Sequence, residues 1–172
     1  MLPEKTQELI ARQHNLVEQL VFDLNNCRPQ STEFYKILNE IINHIGENTI
    51  IKDPIYFDIG NVSIGNHCFI NRDVKFIDFG GITIGNNVGI SSNVVLIAND
   101  HPQNPLTLEE WVDIPIPIVI KDNAWIGAGA IIKGKVTIGE NAIIGAGAVI
   151  VKDVPDNAVV VGNPQRIIRY NR

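Results

Sequence analysis

The sequence predicts a mainly β protein, in which a solenoid of short stacked strands follows two short α-helices. The first 45 residues have helical periodicity, the chain from Ile64 onward repeats with a period of six, and Gly and Asn recur between the repeat units. Periodicity is the main signal for secondary structure, and a fixed short repeat is typical of a solenoid. We expect a helical cap over residues 1–46 and the solenoid over residues 47–172.

The composition is that of a folded chain with no evident nucleic-acid or membrane partner. Hydrophobic residues make up 45% and charged residues 19% of the 172 positions, and the net charge is −5 without a run of like charges. This balance argues against a general nucleic-acid binder. No uncharged apolar run approaches the ~18 residues of a transmembrane helix, and the charged N-terminus is unlike a signal peptide. We therefore expect a soluble, cytoplasmic protein whose two cysteines, Cys27 and Cys68, are reduced packing residues.

Two amphipathic helices are predicted at the N-terminus. The first should end near Asn25-Asn26 and has an apolar stripe of Leu9, Ile10, Leu16, Val17, Leu20, Val21 and Leu24. The second should begin near Glu33, with Ser31 or Thr32 as N-cap, and its stripe comprises Phe34, Ile37, Leu38, Ile41, Ile42 and Ile45. Gly46 is expected at the left-handed position that often ends a helix. Helices this short must pack on the rest of the chain.

The six-residue repeat is clearest between residues 120 and 155. Ile opens every unit and a small or β-branched residue follows four positions later, in the pairs Ile120/Ala124, Ile126/Ala130, Ile132/Val136, Ile138/Ala142, Ile144/Ala148 and Ile150/Val154. The same template holds from Ile64 to Leu96, with a two-residue slip at the sequence FGG. A period of six fits short strands joined by tight bends. Each unit must stack on the next to bury its apolar residues.

A polar segment interrupts this repeat without shifting its phase. Leu96 and Ile120 are 24 positions apart, which is a whole number of repeats. The segment from about 99 to 117 is rich in proline and lacks the pattern, which predicts a loop that leaves one corner of the solenoid. Long loops in compact domains are usually functional or disordered. The loop contains His101, and Pro102 restricts the backbone of that histidine to extended geometry.

The repeats resemble the left-handed parallel β-helix of hexapeptide-repeat acyltransferases, in which three hexapeptides form one triangular coil. The segments PIYFDIGNVSIGNHCFIN, the DHP loop, IKDNAWIGAGAIIKGKVTIGENAIIGAGAVIVKDVPDN and VVVGNPQRIIR are similar to the maltose/galactoside O-acetyltransferase subgroup. The handedness is implied by this resemblance and not by the spacing. The resemblance also implies a homotrimer with an acetyl-CoA groove at each subunit boundary. Transfer would then be direct, in a ternary complex.

The resemblance assigns roles to four residues around the reacting groups. His101 would be the general base that takes a proton from a hydroxyl of a sugar or similar small acceptor. Asn71 would donate a hydrogen bond or orient that hydroxyl. Asp58 and Asp78 would bind the acceptor, since carboxylates accept strong hydrogen bonds. For Asn71, Asp58 and Asp78, a turn-forming role is the open alternative.

The resemblance also implies acetyl-CoA as co-substrate and no required metal. Ala128 and Ala146, with Trp125 nearby, match positions beside the pantetheine arm, although coil packing alone also requires small residues. The matches near the CoA phosphates are Lys152, Arg166 and Arg169, and Val151 stands where relatives often carry Thr. Relatives that acetylate sugars usually begin with a further segment near the acceptor, which we expect to be absent here. This leaves the acceptor's identity open.

Two other classes of function remain as alternatives. A carbonic-anhydrase-like enzyme on the same solenoid needs about three histidines to bind zinc, and only His67 and His101 lie in the solenoid region. A non-catalytic scaffold has no reason to keep the DHP loop and the basic C-terminal positions. We interpret the remaining histidines as structural: His14 and His44 on or at the end of helices, and His67 at a repeat corner.

Overall fold

The computed structural model describes residues 4–107 and 112–171. Helix α1 spans Glu4–Asn26 and helix α2 spans Thr32–Ile41. The strands are β1 (His44–Ile45), β2 (Ile50–Ile51), β3 (Ile55–Phe57), β4 (Val62–Ile64), β5 (Phe69–Ile70), β6 (Val74–Ile77), β7 (Ile82–Ile84), β8 (Gly89–Ile90), β9 (Val95–Ile97), β10 (Asn99–Asp100), β11 (Ile114–Pro115), β12 (Ile118–Ile120), β13 (Trp125–Ile126), β14 (Ile131–Lys133), β15 (Val136–Ile138), β16 (Ile143–Ile144), β17 (Val149–Ile150), β18 (Ala158–Val161) and β19 (Arg166–Tyr170).

The strands stack into three parallel sheets that form the faces of a triangular prism. The first face has the order β1-β4-β7-β12-β15, the second β2-β5-β8-β13-β16-β18, and the third β3-β6-β9-β14-β17. Strand β19 pairs antiparallel with β18 at the end of the second face. Ile120 pairs with Ile84 on one side and Ile138 on the other, so the loop between β9 and β12 leaves the register intact. The fold is the predicted left-handed parallel β-helix.

The burial of the core confirms the six-residue repeat. Every residue that opens a predicted unit, from Ile64 to Ile150, is at most 2% exposed, and the residues four positions later are at most 3% exposed. Cys68 is one of these core residues, and burial raises the pKa of its thiol. Cys68 therefore packs in the core as expected.

The tight corners between the first and second faces use left-handed backbone. Asn48, His67, Asn87, Asn123 and Asn141 have φ angles between 55° and 59°, a region that Asn tolerates better than most residues. Side-chain oxygens at the same corner accept hydrogen bonds from backbone N–H groups of the preceding coil. Asn86 Oδ1, for example, accepts from the Asn66 N–H at 2.9 Å. His67 is thus a corner residue, as predicted.

Helix α1 covers the open end of the solenoid with its C-terminal half. Val17 and Leu24 are fully buried, and the Asn25 amide pairs with the backbone of Ile55, donating to its carbonyl at 2.8 Å and accepting from its N–H at 3.0 Å. Leu9 and Leu16 are 57% and 54% exposed, so the predicted apolar stripe is wrong for these two residues. Neither helix, within the described residues, has the length and apolarity to cross a bilayer.

The second helix ends earlier than the sequence predicted. Its N-cap is Ser31, whose hydroxyl accepts from the Phe34 N–H at 3.1 Å, as expected. The helix stops at Ile41, Ile42 is extended, and His44 already belongs to β1. The prediction of Gly46 as a left-handed helix end is therefore wrong. Gly46 lies where the next coil approaches, since an added Cβ would come within 2.4 Å of the Gly65 carbonyl carbon.

Replacing Asn25 by Ala should destabilise the fold, because it leaves both backbone groups of the buried Ile55 without the partners they have in the native structure. An unsatisfied buried polar group costs roughly 1–3 kcal/mol, so we expect the free energy of unfolding to fall by about 2 kcal/mol in urea titrations. Asn26→Ala is the matched control, since the Asn26 amide bonds only its own helix at Phe22. Equal losses in the two variants would contradict the capping role of Asn25.

Candidate active site

The histidine loop leaves the solenoid through a short antiparallel hairpin. Strands β10 and β11 pair Asn99 with Pro115 and Asp100 with Ile114. The Asp100 carboxylate accepts from the His101 backbone N–H at 2.9 Å, and its second oxygen lies 3.1 Å from Lys133 Nζ on the next coil. These contacts lower the pKa of Asp100, with the His101 N–H as the largest cause and Lys133 next. The base of the loop is therefore tied to β14.

The Nδ1 side of the His101 imidazole contacts the second arm of the loop, and 42% of the side chain is exposed. Its Nδ1 lies 3.3 Å from the Val112 carbonyl oxygen and 3.8 Å from Asp113 Oδ1. The Asn99 amide donates to that same Asp113 oxygen at 2.6 Å. A carbonyl only accepts, so this contact favours the tautomer with the proton on Nδ1 and a lone pair on Nε2. The arrangement suits a general base.

The candidate residues divide between two edges of the prism. The edge between the third and first faces, here called the His101 edge, holds residues 58–60, 78–81 and 98–101, with Val151 and Lys152 further along. The edge between the second and third faces, here called the Asn71 edge, holds residues 71–73, 127–129 and 145–147. Within one chain, the structure therefore does not bring Asn71 to His101. The Asn71 side-chain oxygen accepts from the Arg72 N–H at 2.8 Å, which is a local turn contact.

Asp58 lies on the His101 edge and is paired with the helical cap. Its Oδ1 is 3.1 Å from His14 Nδ1, and its side chain is 23% exposed. Burial raises the pKa of Asp58, His14 opposes the rise, and Asp113 adds to it. Asp58 is thus partly open to solvent and close enough to the histidine loop to sense Asp113.

Asp78 is fully buried, although it was predicted to bind the acceptor. Its Oδ1 accepts from the N–H groups of Ile59 and Gly60 at 2.8 and 3.1 Å. Burial raises the pKa of Asp78 to about 6, while the Ile59 N–H lowers it. The turn-forming alternative fits this geometry, because the carboxylate has no exposed surface in the single chain and accepts from two backbone N–H groups.

The candidate acetyl-CoA residues are exposed but scattered over the prism. Ala128 and Ala146 lie on successive coils of the Asn71 edge, where the Gly147 N–H donates to the Ala128 carbonyl at 2.9 Å. Trp125 is 51% exposed and lies over Gly89, where an added Cβ would meet the indole at 2.6 Å. The small residue at position 89 therefore makes room for the indole.

The C-terminal candidates lie at the far end of the solenoid. Gln165 Oε1 accepts from the N–H groups of Val151 and Lys152 at 2.6 and 2.9 Å, which fixes the backbone there. Arg166 and Arg169 are exposed on β19. Within residues 4–107 and 112–171, no three His, Cys, Asp or Glu side chains are grouped as a metal site would require.

Three polar residues near His101 were missed by sequence reasoning. Asp100, Asp113 and Lys133 contact the histidine or its loop base. Asp100 directly precedes His101, so the sequence could have predicted its hydrogen bond with the His101 backbone N–H. Asp113 and Lys133 gave no signal, because their proximity depends on the hairpin register and on the stacking of the next coil.

Replacing Asp78 by Asn should remove a pH dependence of stability. The unfolded carboxyl titrates near its ordinary value of 3.8 and the folded one at about 6, so the folded protein binds the proton more tightly. The contribution of Asp78 to stability is then most favourable at low pH, and it falls as the pH rises from about 4 to about 6, by up to about 3 kcal/mol. We expect urea unfolding of Asp78→Asn to lose this slope, with the exposed Asp23→Asn as control. A slope unchanged in Asp78→Asn would contradict the assignment.

Comparison with known proteins places the chain in a family. Residues 117–152 match the family model described as bacterial transferase hexapeptide (six repeats). The galactoside O-acetyltransferase of Escherichia coli strain K12 is 36% identical over 152 residues, which cover 87% of this chain and 75% of that protein. The maltose O-acetyltransferase structure from Clostridium difficile 630 has a TM-score of 0.90 and 34% identity, covering 96% of this chain and 89% of that chain.

A second solved structure, a hexapeptide-repeat acetyltransferase of Vibrio cholerae complexed with acetyl coenzyme A, has a TM-score of 0.89 and 31% identity. The match covers 94% of this chain and 88% of that chain. Identity above 30% over most of both chains goes beyond a shared fold. The protein belongs to the hexapeptide-repeat acyltransferases, within the maltose/galactoside O-acetyltransferase subgroup.

Proposed function

We propose that this protein is an acetyl-CoA-dependent O-acetyltransferase that acts on a hydroxyl of a sugar or similar small acceptor. The observation that carries the proposal is the placement of His101 at the base of the loop, where its Nδ1 faces the Val112 carbonyl and 42% of its side chain is exposed. The relatives support acetyl-CoA as the donor and a sugar as the class of acceptor. One related structure holds acetyl coenzyme A, and two other relatives are a galactoside O-acetyltransferase and a maltose O-acetyltransferase.

The proposed reaction is a direct transfer in a ternary complex. Nε2 of His101 takes the proton of the acceptor hydroxyl as the oxygen attacks the thioester carbonyl. The tetrahedral intermediate then expels CoA as a thiolate, and the thiolate takes the proton from the His101 imidazolium. Asn71 would donate its amide N–H to the developing oxyanion or the acceptor. No metal is required for these steps.

The division of the candidate residues between two edges supports assembly as a homotrimer. Asn71, Ala128 and Ala146 lie on one edge of the prism, while His101 and Asp58 lie on another. One site that uses both sets needs the Asn71 edge of one copy beside the His101 edge of its neighbour. A closed ring of three copies supplies three such sites.

The second face supplies an apolar surface for this assembly. Ile50 and Phe69 point outward from neighbouring coils, Trp125 lies two coils beyond Phe69 and covers Gly89, and the three are 38%, 37% and 51% exposed. The equivalent outward positions of the first face are His44, Ser63, Thr83, Val119 and Thr137, four of which are polar. An apolar stripe is a common feature of a subunit interface, and this one borders the Asn71 edge. We therefore propose that the second face contacts the neighbouring copy.

Replacing His101 by Ala should lower turnover by about 10²- to 10⁴-fold, which is the usual contribution of a general base. Binding of acetyl-CoA should be unchanged, because the base acts on the acceptor. CoA release with maltose, galactosides and other saccharides measures turnover, and calorimetric titration measures the binding of acetyl-CoA, CoA and zinc. His67→Asn is the control, since Asn keeps the left-handed corner backbone of His67.

The two readouts separate the parts of the proposal. Folded wild-type protein that binds neither acetyl-CoA nor CoA would overturn the transferase function and leave the solenoid as a scaffold. Saturable zinc binding without CoA binding would instead favour the metalloenzyme alternative. Acetyl-CoA turnover that is equal in wild type and His101→Ala would overturn only the role of His101.

Replacing Phe69 by Glu should break the trimer, because it places a charge in an apolar interface. We expect sedimentation to show dissociation and CoA release to fall at least tenfold with His101 unaltered. Asn39→Glu adds the same charge to the exposed side of helix α2 and should leave assembly and activity intact. A wild-type protein that is monomeric and fully active would contradict the shared site.

A further inference from the structure

A second histidine–carboxylate pair lies on the same edge as His101. His14 of α1 and Asp58 approach to 3.1 Å, and the His14 side chain is 35% exposed. The neighbouring Gln13 amide donates to the Ile59 carbonyl at 3.0 Å. The helical cap therefore reaches the His101 edge at two successive residues, and one of them presents a partly open imidazole.

This pair is close to the histidine loop. Asp113 lies 3.8 Å from the His101 imidazole. Its negative charge contributes to the raised pKa of Asp58, so the two carboxylates repel each other. Neighbouring carboxylates repel, and they are stabilised by groups that donate hydrogen bonds to them. Hydroxyl groups donate without adding charge, and an ammonium group donates while neutralising a carboxylate. Acceptors with hydroxyl groups and acceptors with an ammonium group would therefore both be attracted to Asp58 and Asp113 if these carboxylates had no other partner.

Resting on the transferase function proposed above, we propose that His14 is a specificity-determining residue of the acceptor site. By contacting one oxygen of Asp58, it leaves the other for an acceptor hydroxyl and weakens the attraction of the site for a cationic amine. The acceptor class is then a neutral polyol and not an amino sugar. His14 was interpreted as a structural residue from the sequence, because nothing there placed it near Asp58.

A purely structural role for His14 predicts a different result. The cap is already attached through Asn25, whose amide makes two hydrogen bonds to Ile55, and through Gln13. Loss of His14 therefore leaves α1 docked. A structural role would lower stability and weaken all ligands equally, whereas a role in specificity changes the ratio between neutral and cationic ligands.

The test measures binding of two matched probes, methyl glucoside and its 2-amino-2-deoxy analogue, by NMR titration in the presence of CoA. The proteins are the wild type, His14→Ala and Gln13→Ala. Wild type should bind the neutral glycoside better. In His14→Ala the affinity of the amino glycoside relative to the neutral one should rise about fivefold, which is the scale of one partly exposed charge interaction. Gln13→Ala should leave that ratio unchanged.

An unchanged ratio in folded His14→Ala, or no binding of either glycoside to wild type, would overturn the role of His14. The same preparations are assayed for CoA release from acetyl-CoA. If no saccharide causes CoA release, the proposed transferase function is overturned. The ratio of the affinities for the two glycosides would still test the role of His14. The two failures are therefore distinguishable.

Discussion

The structure depends on backbone hydrogen bonds that link each coil to the next at the same position. Along one edge, the Gly65 N–H donates to Ile84, the Gly85 N–H to Ile120, and the Lys121 N–H to Ile138, at 2.8–2.9 Å. Because these bonds fix the register, each coil must present an apolar side chain to the interior at the same place. A slip of one residue would turn the core residues outward. The helical cap covers the first coil, and β19 pairs with β18 at the other end of the second face.

The His101 edge departs from this regular ladder, and the loop leaves the prism there. At Gly60 and Gly80 an added Cβ would come within 1.9 Å of the Ile41 carbonyl and 2.2 Å of the Ala98 carbonyl. The backbone is therefore packed against its neighbours with no room for a side chain. Asp78 accepts from two N–H groups of the wider turn below. The loop that carries His101 thus leaves the solenoid from a closely packed corner, which keeps His101 in a defined place.

The sequence was sufficient for features that repeat and insufficient for features that depend on one particular contact. Ile126 or Ala130 could be placed in the core because the other ten positions of the six pairs between residues 120 and 155 obey the same rule. Gly46 was misplaced because a glycine that ends a helix and a glycine that admits a close neighbouring coil look alike in sequence. Asp78 was ambiguous for a similar reason, since a turn carboxylate can face the backbone or the solvent. Which direction it takes is decided by the coil below.

The same distinction separates the two halves of the proposed reaction. Ala128 and Ala146, the candidate residues beside acetyl-CoA, belong to the six-residue repeat. A resemblance based on the repeat therefore also covers the candidate acetyl-CoA site. The residues around the proposed acceptor site come from α1, from a corner and from the inserted loop, at His14, Asp58 and Asp113. None of these segments belongs to the regular pattern, and each can change without disturbing the register of the core. Acceptor choice is therefore free to diverge while the coil and the candidate donor positions stay the same.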